Sequence, residues 1–310
     1  MAAQENAFES ALAVFPETVR TELKEVLDEG PVIPAERAAS WIDHMSTSVG
    51  QLMIWLLPVA ASYARVPISN YHVGAVAQGM PRGNSLAHLY LGSNVEFSGQ
   101  ALSFTVHGEQ CATNNAWLHG ETGLQALAIN AAPCGYCRQF LYELTTAKSL
   151  NILLKANTNP NDYSYTTNPL TYFLPQAFGP SDLGLTGGLM ESESHGLTIS
   201  SGSNVAQTAL QGANASYAPY TKDYAGVALQ QNNQTIYVGR YAENAAYNPS
   251  MSPLESALAL MNMFIPPQAP LNITAAALVE AQADISQKSA TEATLASIAP
   301  GVTLEHVVAS

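Results

Sequence analysis

Thr105-Val106-His107-Gly108-Glu109-Gln110-Cys111 and, after an apolar stretch, Ala131-Ala132-Pro133-Cys134-Gly135-Tyr136-Cys137-Arg138-Gln139-Phe140 decide how the rest of the chain is read. One imidazole and two thiols, His107, Cys134 and Cys137, suit a tetrahedral Zn²⁺, and three protein ligands leave its fourth corner to water. Glu109 stands two residues past the histidine, near that corner but free of the ion. Water on such an ion has its pKa lowered to about 7, and a neighbouring carboxylate can relay its proton. Residues 109–118 contain no Pro or Gly and predict a helix starting near His107. Residues 124–131 predict a short buried strand, and Pro133 opens a second helix with Phe140, Leu141 and Leu144 at core spacing. Positions i and i+2 diverge on a regular helix, so His107 and Glu109 can converge only at an irregular helix entrance. Two helix N-termini would then meet at the metal, where their partial positive charge favours thiolates. Arg138 is either a donor to one of the sulfurs or a solvated helix arginine.

Composition narrows the field. The chain has 310 residues, 47% of them hydrophobic, which supports a sizeable core. No apolar run approaches the ~20 residues a bilayer requires, so no membrane span is expected. Residues 1–10 carry Glu5 and Glu9 and no basic cluster, so a signal peptide is not expected. Three cysteines, two assigned to metal, point to a reducing cytoplasm. The net charge is −13 with only 11 Lys plus Arg, which leaves few cations to displace counterions from a polynucleotide. A small neutral substrate fits better than a nucleic-acid partner.

In chain order, residues 1–48 read as a separate helical segment. Residues 51–64 read as an apolar helix kinked at Pro58. Residues 72–78 and 89–96 read as strands of one sheet joined by a tip at 79–85. Asn94 and Glu96, spaced i, i+2 on a strand, face one way and could grip two neighbouring sugar hydroxyls; the alternative is a solvent-facing strand end. Residues 157–168 read as linker, and 174–180 as a turn-rich stretch displaying Phe178. A second compact segment begins near Ser200 and repeats the first. Ser62-Tyr63-Ala64 returns as Ser216-Tyr217-Ala218, Asn94-Val95-Glu96 as Tyr241-Ala242-Glu243, and Glu109 as Glu255. Pro253 stands at the histidine position, and no cysteine follows Cys137. The repeat therefore cannot build the metal site. The expected division is 1–48, a catalytic 49–155, a linker 156–199 and a non-catalytic copy at 200–310. His44, His72, His88, His119, His195 and His306 follow no ligand spacing, Met251, Met261 and Met263 read as packing, and Gly92, Gly99 and Gly120 as turn residues.

Together with V-G-A-V-A (73–77), G-S-N-V-E-F (92–97), L-P-Q-A-F-G-P (174–180) and Y-A-E-N-A-A-Y-N-P (241–249), these motifs resemble those of the long-chain, homodimeric cytidine deaminases. H-x-E…P-C-x-x-C is itself the known signature of zinc nucleobase deaminases, so this step is recognition. The resemblance implies a three-layer α/β/α sandwich with a mixed sheet, duplicated as an intact and a broken copy. It implies one Zn²⁺ per subunit and hydrolytic deamination of cytidine and 2′-deoxycytidine, a pyrimidine-salvage reaction. It also implies that His107, Cys134 and Cys137 bind zinc, Glu109 shuttles protons, and Asn94 and Glu96 hold the ribose 3′-hydroxyl. Tyr71 would stack on the base, the Gly108 N–H would meet its carbonyl, and the Ala132 carbonyl would face the leaving amine. Phe178, Ala245 and Tyr247 would reach the partner subunit's site. Two residues depart from the family pattern: Gly108 stands where Ala is usual, and Tyr71 where Phe is common. Two rival readings remain. Cys111, at i+4 from His107, could close a purely structural zinc site; or the substrate could be a free base or a polynucleotide.

Overall fold

Two glycines on neighbouring strands set the layering of the first unit. In the computed structural model, which describes residues 2–82, 87–157, 159 and 162–310 (backbone only for 2–6), β2 (Gly74–Gln78) pairs antiparallel with β3 (Leu89–Ser93). Residues 83–85 of the expected tip, and 158, 160 and 161 of the expected linker, lie outside the described residues. Gly74 pairs with Ser93 and Ala75 with Gly92, so the two glycines face opposite sides of the sheet. A Cβ on Gly74 would stand 2.2 Å from the Leu57 carbonyl of α4 (Val49–Ser62). One on Gly92 would stand 2.1 Å from the Ala112 nitrogen of α5 (Gly108–Leu118). Each helix therefore touches backbone on its own face. Gly92 is thus a close-approach residue inside a strand and not a turn residue, whereas Gly99 and Gly120 do take left-handed turn conformations.

The first sheet continues with β4 (Ala126–Ile129), which runs parallel to β5 (Asn151–Lys155) through a crossover containing α6 (Gly135–Leu141). Its remaining strands are β1 (Val32–Ile33), on β3, and β6 (Tyr165–Pro169), on β5, giving the order β1-β3-β2-β4-β5-β6. The expected linker thus supplies an edge strand: Tyr165, Thr166 and Thr167 suit a half-exposed pleat, and α7 (Leu170–Phe173) follows directly. Residues 1–48 are not separate either. Their helices α1 (Ala2–Leu12), α2 (Glu17–Glu29) and α3 (Ala35–His44) bury Leu12, Phe15, Leu23 and Trp41 in the same core as Leu52 and Leu56 of α4. Helix α4 itself runs unbroken through Pro58.

The second unit repeats this plan. β7 (Ala225–Gln231) pairs antiparallel with β8 (Ile236–Arg240) and β9 (Ile273–Ala281). β9 runs parallel to β10 (Leu304–Ala309) through α10 (Lys288–Ile298), in the order β10-β9-β7-β8. Gly226 meets α8 (Asn204–Asn214), and Gly239 meets α9 (Pro253–Phe264). Helices α5 and α9 pack together, which buries Asn114, while Asn115 is buried on the sheet side, donating to the Pro31 and Leu91 carbonyls. Asn114 and Ser256 exchange two hydrogen bonds between α5 and α9, of 3.0 and 2.6 Å. Among the described residues no single helix is long and apolar enough to cross a membrane.

Candidate active site and metal centre

Helices α5 and α6 both begin at the end of the first sheet where β3 and β4 finish, and their caps are His107 and Cys134. His107 is the N-cap of α5, with extended backbone (φ −83°, ψ 156°), and Glu109 is the second residue of the helix proper. This is the irregular entrance that lets i and i+2 converge. Gln110 fixes it by accepting the His107 backbone N–H through its side-chain oxygen at 3.1 Å. Cys134 caps α6, its sulfur accepting the Cys137 N–H at 3.4 Å. His107 Nδ1 lies 3.6 Å from Cys134 Sγ and 3.2 Å from Cys137 Sγ, and the two sulfurs are 3.5 Å apart. With Zn–S about 2.3 Å and Zn–N about 2.0 Å, a tetrahedral site has S···N and S···S edges of roughly 3.5 and 3.8 Å. The three donors thus fit zinc to within a few tenths of an ångström. The sulfur–sulfur contact draws the Cys134 thiol down to about 5 and pushes Cys137 up.

A cavity of about 290 Å³ opens beside this triangle, lined by Tyr71, Asn94, Glu96, His107, Gly108, Glu109, Ala132 and Cys134 among others. Glu109 is 5% exposed, and burial pushes its carboxyl above the ordinary range. Asn94 is held by the segment opposite: its Oδ1 accepts the Val73 N–H and its Nδ2 donates to the Tyr71 carbonyl, both at 2.9 Å. Glu96 accepts the Ile68 and Ser69 N–H groups at 2.8 and 3.0 Å and the Ser69 hydroxyl at 2.5 Å. Burial pushes Glu96 up, but these bonds outweigh it and hold the carboxyl below its usual range. Tyr71 is 58% exposed at the rim. A methyl on Gly108 would come within 2.8 Å of Val73 Cγ1, so the glycine packs against Val73 with no room for a Cβ unless that side chain shifts. Phe178 and Tyr247 are exposed elsewhere on the surface and Ala245 is buried; none of the three lines this cavity.

The model of the cytidine and deoxycytidylate deaminase zinc-binding region matches residues 49–152, and a second model of the same description matches 170–292. Cytidine deaminase of Vibrio cholerae is 41% identical over 306 residues, covering 97% of this chain and 99% of its own. That of Aliivibrio fischeri is 40% identical over 301 residues, 96% of each. The chain belongs to the cytidine deaminase family. Zinc is this family's cofactor here too, and the donor set just described accommodates it.

Both cytidine deaminase units keep one local architecture, which corrects the residue matches drawn from sequence. Tyr217 bridges Ala242 as Arg65 bridges Val95, so Tyr217 answers to Arg65 and the S-Y-A match is displaced by two residues. Ser252 caps α9 as His107 caps α5, and Glu255 accepts the Ser252 N–H as Gln110 accepts that of His107. Glu255 therefore stands for Gln110, while Ser252 and Leu254 stand for His107 and Glu109. The second unit lacks the imidazole and the carboxylate as well as both thiols. One further expectation changes, at Arg138, and one rival reading falls, at Cys111. Arg138 donates to the Pro133 carbonyl at 2.7 Å and the Phe173 carbonyl at 3.0 Å, tying the cysteine loop to α7; it is not on a sulfur. Cys111 lies outside the ligand triangle, its sulfur 3.9 Å from the Ala259 carbonyl of α9 and its thiol pushed up to about 12 by burial. The sequence reading missed Ser69, Val73 and Thr105 in the cavity wall. Only Ser69-Asn70, a turn-forming pair, carried a signal.

Proposed function

We propose that this chain hydrolyses the exocyclic amine of cytidine and 2′-deoxycytidine to give the uridines and ammonia, as a homodimer in the cytoplasm serving pyrimidine salvage. The observation that carries the reading is the meeting of one imidazole, two sulfurs and a buried carboxylate on the wall of a nucleoside-sized cavity. His107, Cys134 and Cys137 hold the zinc, which when bound lowers the pKa of water and withdraws charge from the developing oxyanion. Glu109 moves the protons: it carries one from the attacking water to N3 of the base, then a second from the hydroxyl formed at C4 to the departing amine, and ends as the carboxylate it began as. A carboxyl pushed up by burial is suited to both halves of that task. The Gly108 N–H, one of the first helical N–H groups without an intrahelical acceptor, meets the base carbonyl. The Ala132 carbonyl faces the amine, and Tyr71 stacks over the ring.

Asn94 and Glu96 hold the ribose 3′-hydroxyl, and their existing bonds leave room for it. Asn94 retains one N–H and one lone pair, and Glu96, with three donors, retains a fourth acceptor site. A 3′-phosphate in that place would meet the Glu96 carboxylate, so a nucleoside fits better than a polynucleotide. Phe178, Ala245 and Tyr247 complete the partner's site, which accounts for two large aromatic side chains lying 44% and 66% exposed away from their own cavity. We assign catalysis to residues 49–155, with 1–48 and 156–199 packed onto the same sheet through β1 and β6, and a non-catalytic domain to 200–310. Absorbance loss on incubation with cytidine, with and without a chelator and beside cytosine and a short single-stranded oligonucleotide, tests the reading. Chelator-sensitive turnover of cytidine alone is expected; preference for cytosine would overturn the sugar clamp.

A further inference from the structure

Glu143 follows α6 by two residues and is 1% exposed, yet among the described residues it makes no ion pair. Its partners all come from the second unit. Oε1 accepts the hydroxyls of Tyr217 at 2.9 Å and Tyr220 at 2.5 Å, and Oε2 accepts the Ala245 N–H at 2.9 Å. Four residues earlier, on α6 itself, Gln139 donates to the Phe178 carbonyl at 2.8 Å and to Asn244 Oδ1 at 3.3 Å, while Asn244 Nδ2 donates to the Gln139 carbonyl at 2.9 Å. The fully buried Asn244 then shapes the next turn. Its Oδ1 accepts the Ala246 N–H, and its carbonyl accepts that of Tyr247, which is held at φ +61°. One helical clasp therefore fixes Phe178, Ala245 and Tyr247 relative to one another.

A buried carboxylate without a cation is an unfavourable way to join two layers, and an apolar contact would stabilise them better. What three converging donors give instead is direction. Tyr217 and Tyr220 stand where the first unit has Arg65 and Ile68, so the second unit has turned its site-lining segment into the grip on Glu143. We propose that Glu143 is a positioning residue acting across the dimer: within one subunit it orients the Phe178, Ala245 and Tyr247 face that closes the partner's site. The same α6 presents Cys137 to its own site, so one helix serves both active sites of the dimer. This inference rests on the homodimer reading given above.

Mixed dimers with different affinity tags on the two subunits test it. In the first, one subunit carries Glu109→Gln and the other Glu143→Gln. The only working site is closed by the face with an intact Glu143, and its KM for cytidine is expected to equal the wild-type value. In the second, one subunit carries both substitutions and the other is wild type. The working site is now closed by a loosened face, and KM is expected to rise about tenfold, the equivalent of roughly one hydrogen bond, with kcat per working site nearly unchanged. The reverse pattern would assign Glu143 to its own site, and equal KM values with only a lowered Tm would make it purely structural; either result overturns the proposal, as does a monomeric wild-type protein in light scattering. If Glu143→Gln fails to fold, Gln139→Leu passes through the same two pairings. Wild-type protein inert towards cytidine would instead sink the enzymatic reading itself, which keeps the two failures apart.

Discussion

Replacing Gly92 by alanine should displace the helix that carries His107 and Glu109. The new Cβ would lie 2.1 Å from the Ala112 nitrogen and 2.6 Å from its Cα, and both are backbone atoms that no rotamer change can move aside. Ordinary contact begins at 3.4 Å, so α5 must retreat by about 1.3 Å. The cysteines are on α6 and do not follow, so the ligand triangle opens and Glu109 leaves its place at the cavity wall. Misplacement by about 1 Å costs roughly 10²-fold in rate, and overpacking costs about 1–3 kcal/mol of stability. Gly239→Ala is the internal control. Its Cβ meets the Ala257 nitrogen and the Pro253 carbonyl at 2.2 Å, the same clash against α9, which has no metal ligand. Thermal melting, zinc per subunit and kcat/KM on cytidine should show similar losses of Tm in both variants. The hundredfold loss of activity and the loss of zinc should appear only in Gly92→Ala. Wild-type turnover in Gly92→Ala, or equal inactivity in the control at the same Tm, would refute the reasoning.

Three further outcomes are expected. Glu109→Gln should keep its zinc by metal analysis and its melting temperature, while turnover falls by about 10²–10⁴-fold or more, because the amide cannot carry the protons; near-normal turnover would reject the role. Cys111→Ser should bind one metal with an unchanged cobalt-substituted spectrum and near-normal kcat, since its sulfur lies against Ala259 and not in the triangle; loss of a sulfur-ligand signature would restore the closed structural site. Asp223 is pushed up to about 7 by burial, outweighing its hydrogen bond from Gln287, with the charges of Glu280 and Glu243 adding to the shift. Between pH of roughly 4 and 7 the folded chain therefore holds a proton that the unfolded chain has released, so stability falls as pH rises through that window. Denaturant unfolding at pH 5 and 8 should show a smaller difference for Asp223→Asn than for wild type, some slope remaining from Glu255, also raised to about 7; an undiminished slope would contradict the assignment.

The readable parts of this chain were those where chemistry and backbone geometry coincide. His107, Glu109, Cys134 and Cys137 were legible because metal ligation restricts residue type and spacing together, and a helix entrance is the only local geometry that lets i and i+2 converge. The strand before Pro133 and the helix after it were legible from their apolar patterns, whereas the parallel partner β5 was not read. Gly92 was not, because a glycine required by a neighbouring helix leaves the same sequence trace as one required by a turn. Nor was the strand at 165–169: an edge strand with one exposed face needs little apolar content, and the Asn and Pro residues before it resemble a linker. Arg138 was misjudged because carbonyl acceptors, unlike charged side chains, leave no mark in the sequence.

The mistaken pairing of Glu109 with Glu255 has a physical origin that bears on how one copy stayed active. Glu243 in the second unit accepts the Tyr220 and Thr221 N–H groups and the Thr221 hydroxyl, the bonds Glu96 accepts from Ile68 and Ser69. The cap at Glu255 likewise repeats the cap at Gln110. Side-chain oxygens at both places answer to backbone donors that each unit must satisfy whether or not it holds a metal. Glu96 is therefore part of the scaffold, whatever it also does for substrate. The metal site is lost at a few positions: Ser252, which still caps α9 by accepting the Glu255 N–H, replaces His107, Leu254 replaces Glu109, and no thiols follow β9. Loss of catalysis could proceed there without disturbing the fold, while the retained framework was free to acquire Tyr217 and Tyr220 as the grip on Glu143.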